Sequence, residues 1–370
     1  MRGKKVVLAG VGHAHLYSLA RIGSFSRYDV LVDVIAPGPF NYSGMGPGIL
    51  SGQYNEGDNS LDVSKMVGSR GGRLITDKVE IIDADERTLK TSGGETIKYD
   101  VLSLNIGSEV APLADHKGQI PVFPVKPIHN FIKMRNHLLN ALPGSAPRIV
   151  VAGGGPAGCE AAANALSLCL RKGYRPMIKI VTGRSGLLPG LPEKAGRIIA
   201  EWFRKNGIAV ETGIRVIGSD GRFVLFGDGS RQEADMIIIA TGVHPPELLE
   251  GSGFSISRDG ALVVDEHLES VSHKGVFGGG DCIYFKPCPL DRVGVYAVRQ
   301  GPVLFNNLIA SITGRQPRLF RPQKKYLLIL NLGDGTGLLS RGKVAVAGRI
   351  PLLIKNWLDR RFIRKYRPLK

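Results

Sequence analysis

The feature that most constrains this chain of 370 residues is a repeated unit, in which a short apolar strand runs through a glycine-rich turn into a helix. The first copy is predicted to comprise, in chain order, a strand at residues 6–9, a turn at 10–12, a helix at 13–22 and a strand at 30–35. The second copy is predicted to comprise a strand at 148–152, a turn at 153–158, a helix at 160–170 and a strand at 177–181. Each copy has the order of a βαβ unit. Two such units, about 140 residues apart, predict two nucleotide-binding domains of the same design.

Glycine is expected in these turns for a chemical reason. A side chain in the turn would block a diphosphate from the helix N-terminus, where free N–H groups and the helix dipole favour anions. The second turn has the complete spacing, with Gly153, Gly155 and Gly158. The first has Gly10 and Gly12, but His15 stands where the third glycine belongs, so its helix is expected to sit differently. One such motif is a weak signal, whereas two in register predict that both units bind nucleotides.

The second strand of each unit commonly ends in an acid that bonds a ribose hydroxyl. Here the corresponding positions are Ala36 and Thr182, and neither is acidic. Arg184, two residues further on, would meet the 2′-phosphate of NADPH or would simply be a solvated loop residue. The sequence leaves these two interpretations open.

The remaining segments complete an α/β pattern. Both halves contain a strand that runs into a glycine, at residues 99–107 and 235–242. Residues 111–127 contain four prolines and are predicted as a crossover, followed by a basic helix at 128–142. After the run Gly278-Gly279-Gly280-Asp281 come, in order, a predicted helix from about 295 past 308, an antiparallel unit at 326–349 and a helix at 351–367.

We therefore predict an α/β protein with two Rossmann-like three-layer domains and a small C-terminal α+β segment. The predicted division is 1–125 for the first part of the first nucleotide-binding domain, 126–242 for the second nucleotide-binding domain, 243–325 for the second part of the first domain, and 326–370 for a hairpin and basic helix.

The composition of the chain limits the kinds of site and the cellular compartment that we expect. The four cysteines form no CxxC pair and no zinc spacing, which argues against a disulfide framework, and no metal site is predicted. The N-terminal apolar run is too short for a signal peptide, and no stretch is long enough to span a membrane. We expect a cytoplasmic protein that can sit peripherally on the cytoplasmic face of the membrane. No nucleic-acid recognition module is present, so no nucleic-acid partner is expected.

Taken together, these motifs resemble the two-dinucleotide-binding-domain flavoproteins of the pyridine nucleotide–disulfide oxidoreductase superfamily. Residues 11–16, 42–45 and 294–302 resemble a narrower branch, the type II NADH dehydrogenase-like proteins, which includes the domain fused in front of selenide, water dikinase. The resemblance covers nearly the whole chain. It implies FAD as cofactor, NAD(P)H as co-substrate, and hydride transfer from NAD(P)H to FAD.

The resemblance also assigns positions. Those for FAD are Gly10, Gly12, His13, Ala14, His15, Ser43, Gly44, Met45, Gly107, Gly280, Asp281, Gln300 and Gly301. Those for NAD(P)H are Gly153, Gly155, Pro156, Ala157, Gly158, Arg184, Thr241 and Gly242. Asp281 would accept a hydrogen bond from the flavin ribityl chain, and the backbone at Gln300 and Gly301, near a helix N-terminus, would face the flavin pyrimidine edge. Glu160 is implied near the nicotinamide end, as the catalytic side chain.

Departures from the family pattern limit the chemistry. Residues 42–48 contain no cysteine where disulfide reductases carry a CxxxxC pair, so dithiol chemistry is not expected. Cys159 and Cys288 are the candidates for a reactive pair, but lone cysteines are more often small buried hydrophobes. Gly294-Val295 replaces the Ala-Gln pair that lines the quinone pocket of the respiratory enzymes, so a quinone acceptor is left open.

Two features have competing interpretations. His13 and His15 would be metal ligands or members of a proton relay. Their spacing makes the two side chains diverge, however, which favours packing near the flavin. Residues 341–370 carry ten Lys or Arg and one acid, Asp359. There Ile354, Leu358, Phe362 and Tyr366 recur every four residues, with Trp357 beside them, as one face of a basic helix. This helix would dock on an anionic membrane or a partner, or would pack on its own domain.

The sequence thus predicts an FAD-dependent NAD(P)H oxidoreductase of the dehydrogenase type, with a small-molecule acceptor that includes quinone among the candidates. Two alternatives remain open. One is a flavoprotein that oxidises a sulfur or selenium compound through Cys159 or Cys288. The other is a non-catalytic redox sensor that keeps FAD bound.

Overall fold

A computed structural model of the chain describes residues 3–140 and 146–367. Its first sheet has five parallel strands, and the strand of the first glycine turn lies at the centre. The strand order across the sheet is Val276–Gly278, Val101–Leu104, Lys4–Ala9, Val30–Ile35 and Arg73–Ile75. The strand at 276–278 comes from far along the chain and pairs with 102–104, so the first sheet is built from two separate stretches of sequence.

The second sheet repeats this plan with five parallel strands, and the strand of the second glycine turn is again central. Its order is Val122–Pro124, Met236–Ile239, Arg148–Ala152, Met177–Thr182 and Ala209–Thr212. In both sheets the central strands are continuous apolar runs, as expected when helices cover both faces of a parallel sheet. The two-domain α/β prediction is confirmed; the predicted domain boundaries remain a prediction.

Eight α-helices lie in the described residues. In chain order they are α1 Leu16–Leu19, α2 Gly46–Ser51, α3 Val63–Gly68, α4 Asn130–Asn140, α5 Pro156–Arg171, α6 Glu193–Lys205, α7 Gly294–Thr313 and α8 Arg349–Tyr366. Short 3₁₀ turns occur at Ile22–Ser24, Ser26–Tyr28, Ser43–Met45, Glu247–Leu249 and Gly280–Cys282. No helix of the described residues is long and apolar enough to cross a membrane.

The predicted helix at 13–22 was wrong in extent. Only α1, four residues long, is α-helical there, and 3₁₀ turns follow it. The N–H groups of Ala14 and His15 donate to the Asn105 side chain, which keeps these residues in the glycine turn instead of the helix. The basic helix predicted at 128–142 is α4; Leu142, its predicted end, lies outside the described residues.

The smaller sheets connect and extend the two halves. An antiparallel pair joins Glu109–Val110 to Val243–His244, where the chain enters and leaves the second half. A three-stranded sheet consists of Val79–Asp83, Thr88–Thr91 and Thr96–Lys98. A four-stranded sheet consists of Asp115–Gly118, Val216–Gly221, Phe223–Phe226 and Arg231–Glu233. Two further pairs are Phe40–Asn41 with Ser60–Leu61 and Leu262–Val264 with Ile283–Phe285.

The predicted C-terminal unit is a three-stranded antiparallel sheet followed by α8. Its strands are Leu327–Asn331, Gly337–Arg341 and Val344–Gly348. Leu330 and Leu338 belong to the core of the second half, whereas Ile363 and Tyr366 of α8 belong to the core of the first. The C-terminal segment is therefore built into both cores.

Candidate functional site

The first glycine turn is held closed by Asn105, which ends the neighbouring strand. The Asn105 Oδ1 accepts the N–H of Ala14 at 2.9 Å and of His15 at 3.2 Å, and its Nδ2 donates to the Gly279 carbonyl at 2.6 Å. A Cβ on Gly12 would lie 2.5 Å from Asn105 Oδ1. This glycine is therefore required for close packing against Asn105, a reason that the motif alone did not give.

His15 takes the place of the third glycine by turning its ring into the sheet. Its Nδ1 lies 2.6 Å from the Gly10 carbonyl and its Nε2 lies 2.8 Å from Ser103 Oγ. Because a carbonyl only accepts, Nδ1 carries the proton and Nε2 accepts from the Ser103 hydroxyl. Burial lowers the pKa of His15 to about 4, so the ring is neutral and serves as an internal bridge.

His13 points the other way, as its spacing from His15 predicts. Its ring packs against Phe40, Tyr42 and Phe362, with centroids 5.0 to 5.9 Å apart. The buried Nε2 has no hydrogen-bond partner among the described residues. Such an orphaned polar atom, in a wall that also holds Asp281, fits a site that a cofactor completes. In the described parts of the chain, no group of three or more His, Cys, Asp or Glu is arranged to hold a metal ion.

The second glycine turn is an open cradle. Gly155 caps α5, Pro156 is its first residue and Ala157 its second, and a Cβ on Gly155 would meet nothing within 4 Å. In contrast, a Cβ on Gly158 would lie 2.0 Å from the Gly153 carbonyl. The helix of 16 residues thus presents free space at its N-terminus, which fits a dinucleotide diphosphate.

Asp281 lies in a charged cluster beside the first turn. Its Oδ2 is 2.6 Å from Lys126 Nζ and accepts the Ser108 hydroxyl at 2.8 Å. Gly280 precedes it with a positive φ of 78°, and a Cβ there would lie 2.4 Å from Asn105 Nδ2. Burial would raise the pKa of Asp281, but the Lys126 charge and these hydrogen bonds hold it below its ordinary value. Asp281 is therefore an anion that faces the turn.

The structure corrects the argument for Gln300 and Gly301. They are the seventh and eighth residues of α7, beyond the first turn, where the favourable dipole acts. The Gln300 side chain accepts the N–H of Gly280 at 2.7 Å. A Cβ on Gly301 would lie 3.0 Å from the Ala14 carbonyl, so this glycine lets α7 approach the first turn closely. Both residues contact the residues around the first glycine turn, and their place at the flavin stays a prediction.

Glu160 lies in a second polar cluster, which we call the α8 cluster and which comprises Tyr42, Tyr54, Glu160, Lys355 and Asp359. Glu160 Oε1 accepts the N–H of Asn331 at 2.7 Å. Burial raises the pKa of Glu160 to about 7, opposed by the Lys355 charge and the Asn331 hydrogen bond and assisted by Asp359. A carboxyl with this pKa exchanges protons near neutral pH.

The α8 cluster also holds the loop predicted to contact FAD. Lys355 Nζ donates to the Gly44 carbonyl at 2.7 Å and lies 3.0 Å from Asp359 Oδ2. Asp359 Oδ1 accepts the Tyr42 hydroxyl at 3.0 Å. Ser43, Gly44 and Met45 form a 3₁₀ turn directly before α2. The C-terminal helix therefore fixes a loop that lies more than 300 residues earlier in the chain.

Other predicted residues lie at the expected strand ends but make fewer contacts. Gly107 has a positive φ of 78°, and a Cβ there or on Gly242 would meet nothing within 4 Å. Thr241 and Gly242 follow the strand 236–239, beside the second turn. Arg184 is exposed in the turn after the strand 177–182. Thr182, at the position of the usual acid, donates its hydroxyl to the Gly186 carbonyl at 3.1 Å.

The predicted apolar face of the C-terminal helix was only half correct. Phe362 stacks on Tyr42 at 4.5 Å and Tyr366 is buried, but Ile354 and Leu358 lie on the outer side. The inner face instead buries the Lys355–Asp359 pair, whose side chains are 9% and 5% exposed. The outer face carries Ile350, Leu353 and Trp357, which are 70%, 65% and 57% exposed. Helical spacing alone does not determine which of two partly apolar faces of a helix packs against the rest of the protein.

Sequence reasoning missed several side chains of the two clusters. They are Asn105, Ser108, Lys126, Tyr42, Tyr54, Lys355 and Asp359. One signal was available: Asp359 is the single acid in the basic segment 341–370, and Lys355 precedes it by one helical turn. The others gave no local signal, because their partners are distant in sequence.

A groove of about 690 Å³ begins beside the second glycine turn, where the Leu188 N–H donates to the Gly154 carbonyl at 2.7 Å. It runs along α6 and the edge strand 209–212, and its lining includes Leu187, Ala200 and Val210. It is a groove at the outer edge of the second sheet.

Residues 4–304 match the sequence model of the family described as pyridine nucleotide-disulphide oxidoreductase. The chain belongs to this family. Its members' fold and cofactors agree with the two glycine turns, so the chain is an FAD-dependent NAD(P)H oxidoreductase, as predicted. The residue-level assignments remain predictions.

Individual relatives support the NADH dehydrogenase-like branch. A NADH dehydrogenase-like protein of Mycobacterium tuberculosis is 26% identical and covers 99% of this chain and 95% of its own length. The sulfide:quinone oxidoreductase of Aquifex aeolicus superposes with a TM-score of 0.81 at 17% identity, over 99% of this chain and 92% of its own. NDH2 of Plasmodium falciparum, in complex with NADH, superposes with a TM-score of 0.81 at 15% identity, over 98% of this chain and 96% of its own. The likeness to the domain fused to selenide, water dikinase stays a prediction.

Proposed function

We propose that this NADH dehydrogenase-like flavoprotein passes electrons from NAD(P)H, through FAD, to a quinone at a membrane surface. The observation that carries the proposal is Glu160, a carboxyl with a pKa of about 7 placed beneath a helix whose outer face is apolar and basic. A quinone is lipid-soluble and takes up protons together with electrons. A site that reduces it therefore needs both a proton donor and a surface that meets the membrane. One structural neighbour, the sulfide:quinone oxidoreductase, is named for this acceptor.

The residues of the chain would divide the work. Bound FAD supplies the two-electron chemistry, while the protein binds, orients and handles protons. Gly155 and the N-terminus of α5 would hold the NAD(P)H diphosphate, and Asp281 would hold the FAD ribityl chain. A quinone becomes a quinol on taking two electrons and two protons; the hydride of NAD(P)H accounts for both electrons and one proton, and one further proton is needed. Glu160 would donate a proton from its carboxyl and recover it from solvent, which its pKa allows at neutral pH.

The outer face of α8 would bring the protein to the membrane. Three large apolar side chains on this face, Ile350, Leu353 and Trp357, are exposed, and Val344 on the adjacent strand is exposed with them. Arg361 lies over the Trp357 ring at 5.0 Å. Each cation near an anionic membrane surface adds about 1 kcal/mol of binding. We infer a peripheral position on the cytoplasmic face, with α8 lying in the interface.

The sulfur-oxidising alternative has less support. Cys159 is fully buried, and burial together with the nearby Glu160 raises the pKa of its thiol. A buried thiol with a raised pKa is a poor nucleophile because the thiolate is the reactive form. The four cysteines are all free.

The test separates electron transfer from proton transfer. Under anaerobic conditions, NADH or NADPH should bleach the flavin absorbance of the purified protein. Glu160→Gln should lower turnover with a short-chain quinone at least tenfold, while turnover with ferricyanide, which takes electrons alone, changes less than twofold. Glu193→Gln, an exposed carboxylate on α6, is the matched control. An equal loss with both acceptors would contradict the proton role, and no bleaching by either nicotinamide would contradict the function.

Membrane docking has its own assay. Flotation with vesicles that contain phosphatidylglycerol should carry the protein upward, and vesicles of phosphatidylcholine alone should carry less. Trp357→Asp should reduce flotation severalfold, whereas Leu170→Asp, which changes another exposed apolar residue on α5, should not. Unchanged flotation of the Trp357 variant would refute docking through α8.

A further inference from the structure

Lys126 occupies an unusual position for a lysine. Its ammonium lies 2.6 Å from Asp281 Oδ2 and donates to Ser108 Oγ at 2.6 Å, while the Ser108 hydroxyl also bonds Asp281. The three side chains form a closed triangle that is largely buried. Lys126 is therefore fixed in one geometry, unlike a solvated lysine.

The triangle lies where the two halves of the molecule are joined. Ser108 directly precedes the connecting strand 109–110, and Lys126 follows the strand 122–124 of the second sheet. Arg292 fixes the backbone of the same site: its Nε donates to the Asp281 carbonyl at 2.9 Å and its Nη1 to the Val243 carbonyl at 3.1 Å. Both connections between the halves thus converge on Asp281.

Lys126 supplies the positive charge of this site. Arg292 directs its remaining nitrogen to Asp259 at 2.5 Å, so its charge is already paired. His13 is neutral, because burial lowers its pKa to about 4, with Lys126 contributing to the lowering and Asp281 opposing it. Without Lys126, the carboxylate of Asp281 would be left as an unbalanced negative charge.

We propose that Lys126 is a positioning residue for FAD, which orients the Asp281 carboxylate toward the cofactor and balances its charge so that flavin reduction is favoured. This inference rests on the proposed placement of the FAD ribityl chain beside Asp281. Reduction adds negative charge to the cofactor, and a nearby cation stabilises the reduced form more than the oxidised form. Removing Lys126 makes the site more negative, so the flavin midpoint potential should fall.

The test compares variants of the full-length, FAD-loaded protein that remove or keep the charge of Lys126. In Lys126→Met the two-electron midpoint potential should fall by about 30 mV, which is a tenfold change in the redox equilibrium. Lys126→Arg keeps the charge and should stay within threefold of the parent equilibrium. Lys133→Met removes an exposed lysine from α4 and should have no effect. In Lys126→Met/Asp281→Asn both charges are gone, and the potential should return toward that of the parent.

A parent-like potential in Lys126→Met, or an equal shift in Lys133→Met, would overturn the proposal. If Lys126→Met fails to fold, Ser108→Ala removes one side of the triangle without changing its charge. That variant should weaken FAD binding several-fold in a titration of the apoprotein, and unchanged affinity would count against the proposal. The potentials are measured with a chemical reductant, so they stand even if neither nicotinamide nor quinone proves to be a substrate.

Discussion

Replacing Lys355 by Met tests whether the α8 cluster stabilises the fold and tunes Glu160. The change removes a buried cation and leaves Asp359, only 5% exposed, without its ion-pair partner. Removing one partner of a buried pair typically costs about 3–5 kcal/mol, because the remaining charge stays desolvated. The Gly44 carbonyl also loses its charged donor. We expect a loss near the middle of that range, about 4 kcal/mol in the free energy of unfolding.

Equilibrium unfolding in urea measures this loss, and a double variant separates its causes. Lys355→Met/Asp359→Leu replaces the pair by apolar side chains, which should recover most of the loss. Lys365→Met, on the same helix but exposed, is the control for a lysine removed from this segment. If Lys355→Met were no less stable than Lys365→Met, the claim that the buried pair fixes α8 and the loop at Gly44 would be refuted.

The same variant has a kinetic consequence. The Lys355 charge holds down the pKa of Glu160, which burial has raised to about 7. Without that charge the pKa should rise further, so Glu160 stays protonated to higher pH. The pH profile of quinone reduction should then move in the alkaline direction. A profile that moves in the acid direction would contradict the assigned electrostatics.

Three further predictions concern the pH dependence of stability, the choice between NADH and NADPH, and the second glycine turn. Since burial raises the pKa of Glu160 from 4.5 to about 7, the native state binds more protons than the unfolded state, and its stability should fall by about 2.5 kcal/mol between roughly pH 5 and pH 8. Urea unfolding of Glu160→Gln at both pH values should show that this decrease is lost; a parent-like decrease would mean that another group causes it. Arg184→Ala should raise the KM for NADPH at least fivefold and leave that for NADH unchanged, because the 2′-phosphate distinguishes them; equal effects would assign Arg184 to the solvated surface. Gly155→Ala should weaken NAD(P)H binding but cost less than about 1 kcal/mol in the free energy of unfolding. Gly158→Ala should unfold the second half, because its Cβ would meet the Gly153 carbonyl. Thermal melts and nicotinamide titrations of the two variants compare these effects.

Much of the fold was predictable because its signals are local. A short apolar strand, a glycine turn and an alanine-rich helix follow one another in the sequence, and the repetition of this order identified two nucleotide-binding units. The C-terminal antiparallel unit and the helix after it were also correctly predicted. The helix at 13–22 was wrong because the glycine motif implied a regular helix, whereas His15 and Asn105 tie the turn to the sheet through side chains.

The candidate site was predictable only in part. Gly10, Gly12, Gly280 and Asp281 lie together, as the resemblance implied, because they occupy strand ends of one parallel sheet. The partners of Asp281 could not be inferred, because Ser108 and Lys126 approach it from connections more than 150 residues away. Which face of α8 is buried was likewise undetermined, since both faces carry apolar residues.

The sequence by itself determined the two cradles and therefore the class of cofactor, because glycine spacing, strand and helix are set by neighbouring residues. Only the tertiary structure decided how the charges are paired. Lys126 with Asp281, and Lys355 with Asp359 beside Glu160, acquire their roles from burial and from neighbours distant in the chain. The physical reason is that the pKa and the electrostatic effect of a side chain depend on its surroundings in three dimensions, not on its position in the sequence.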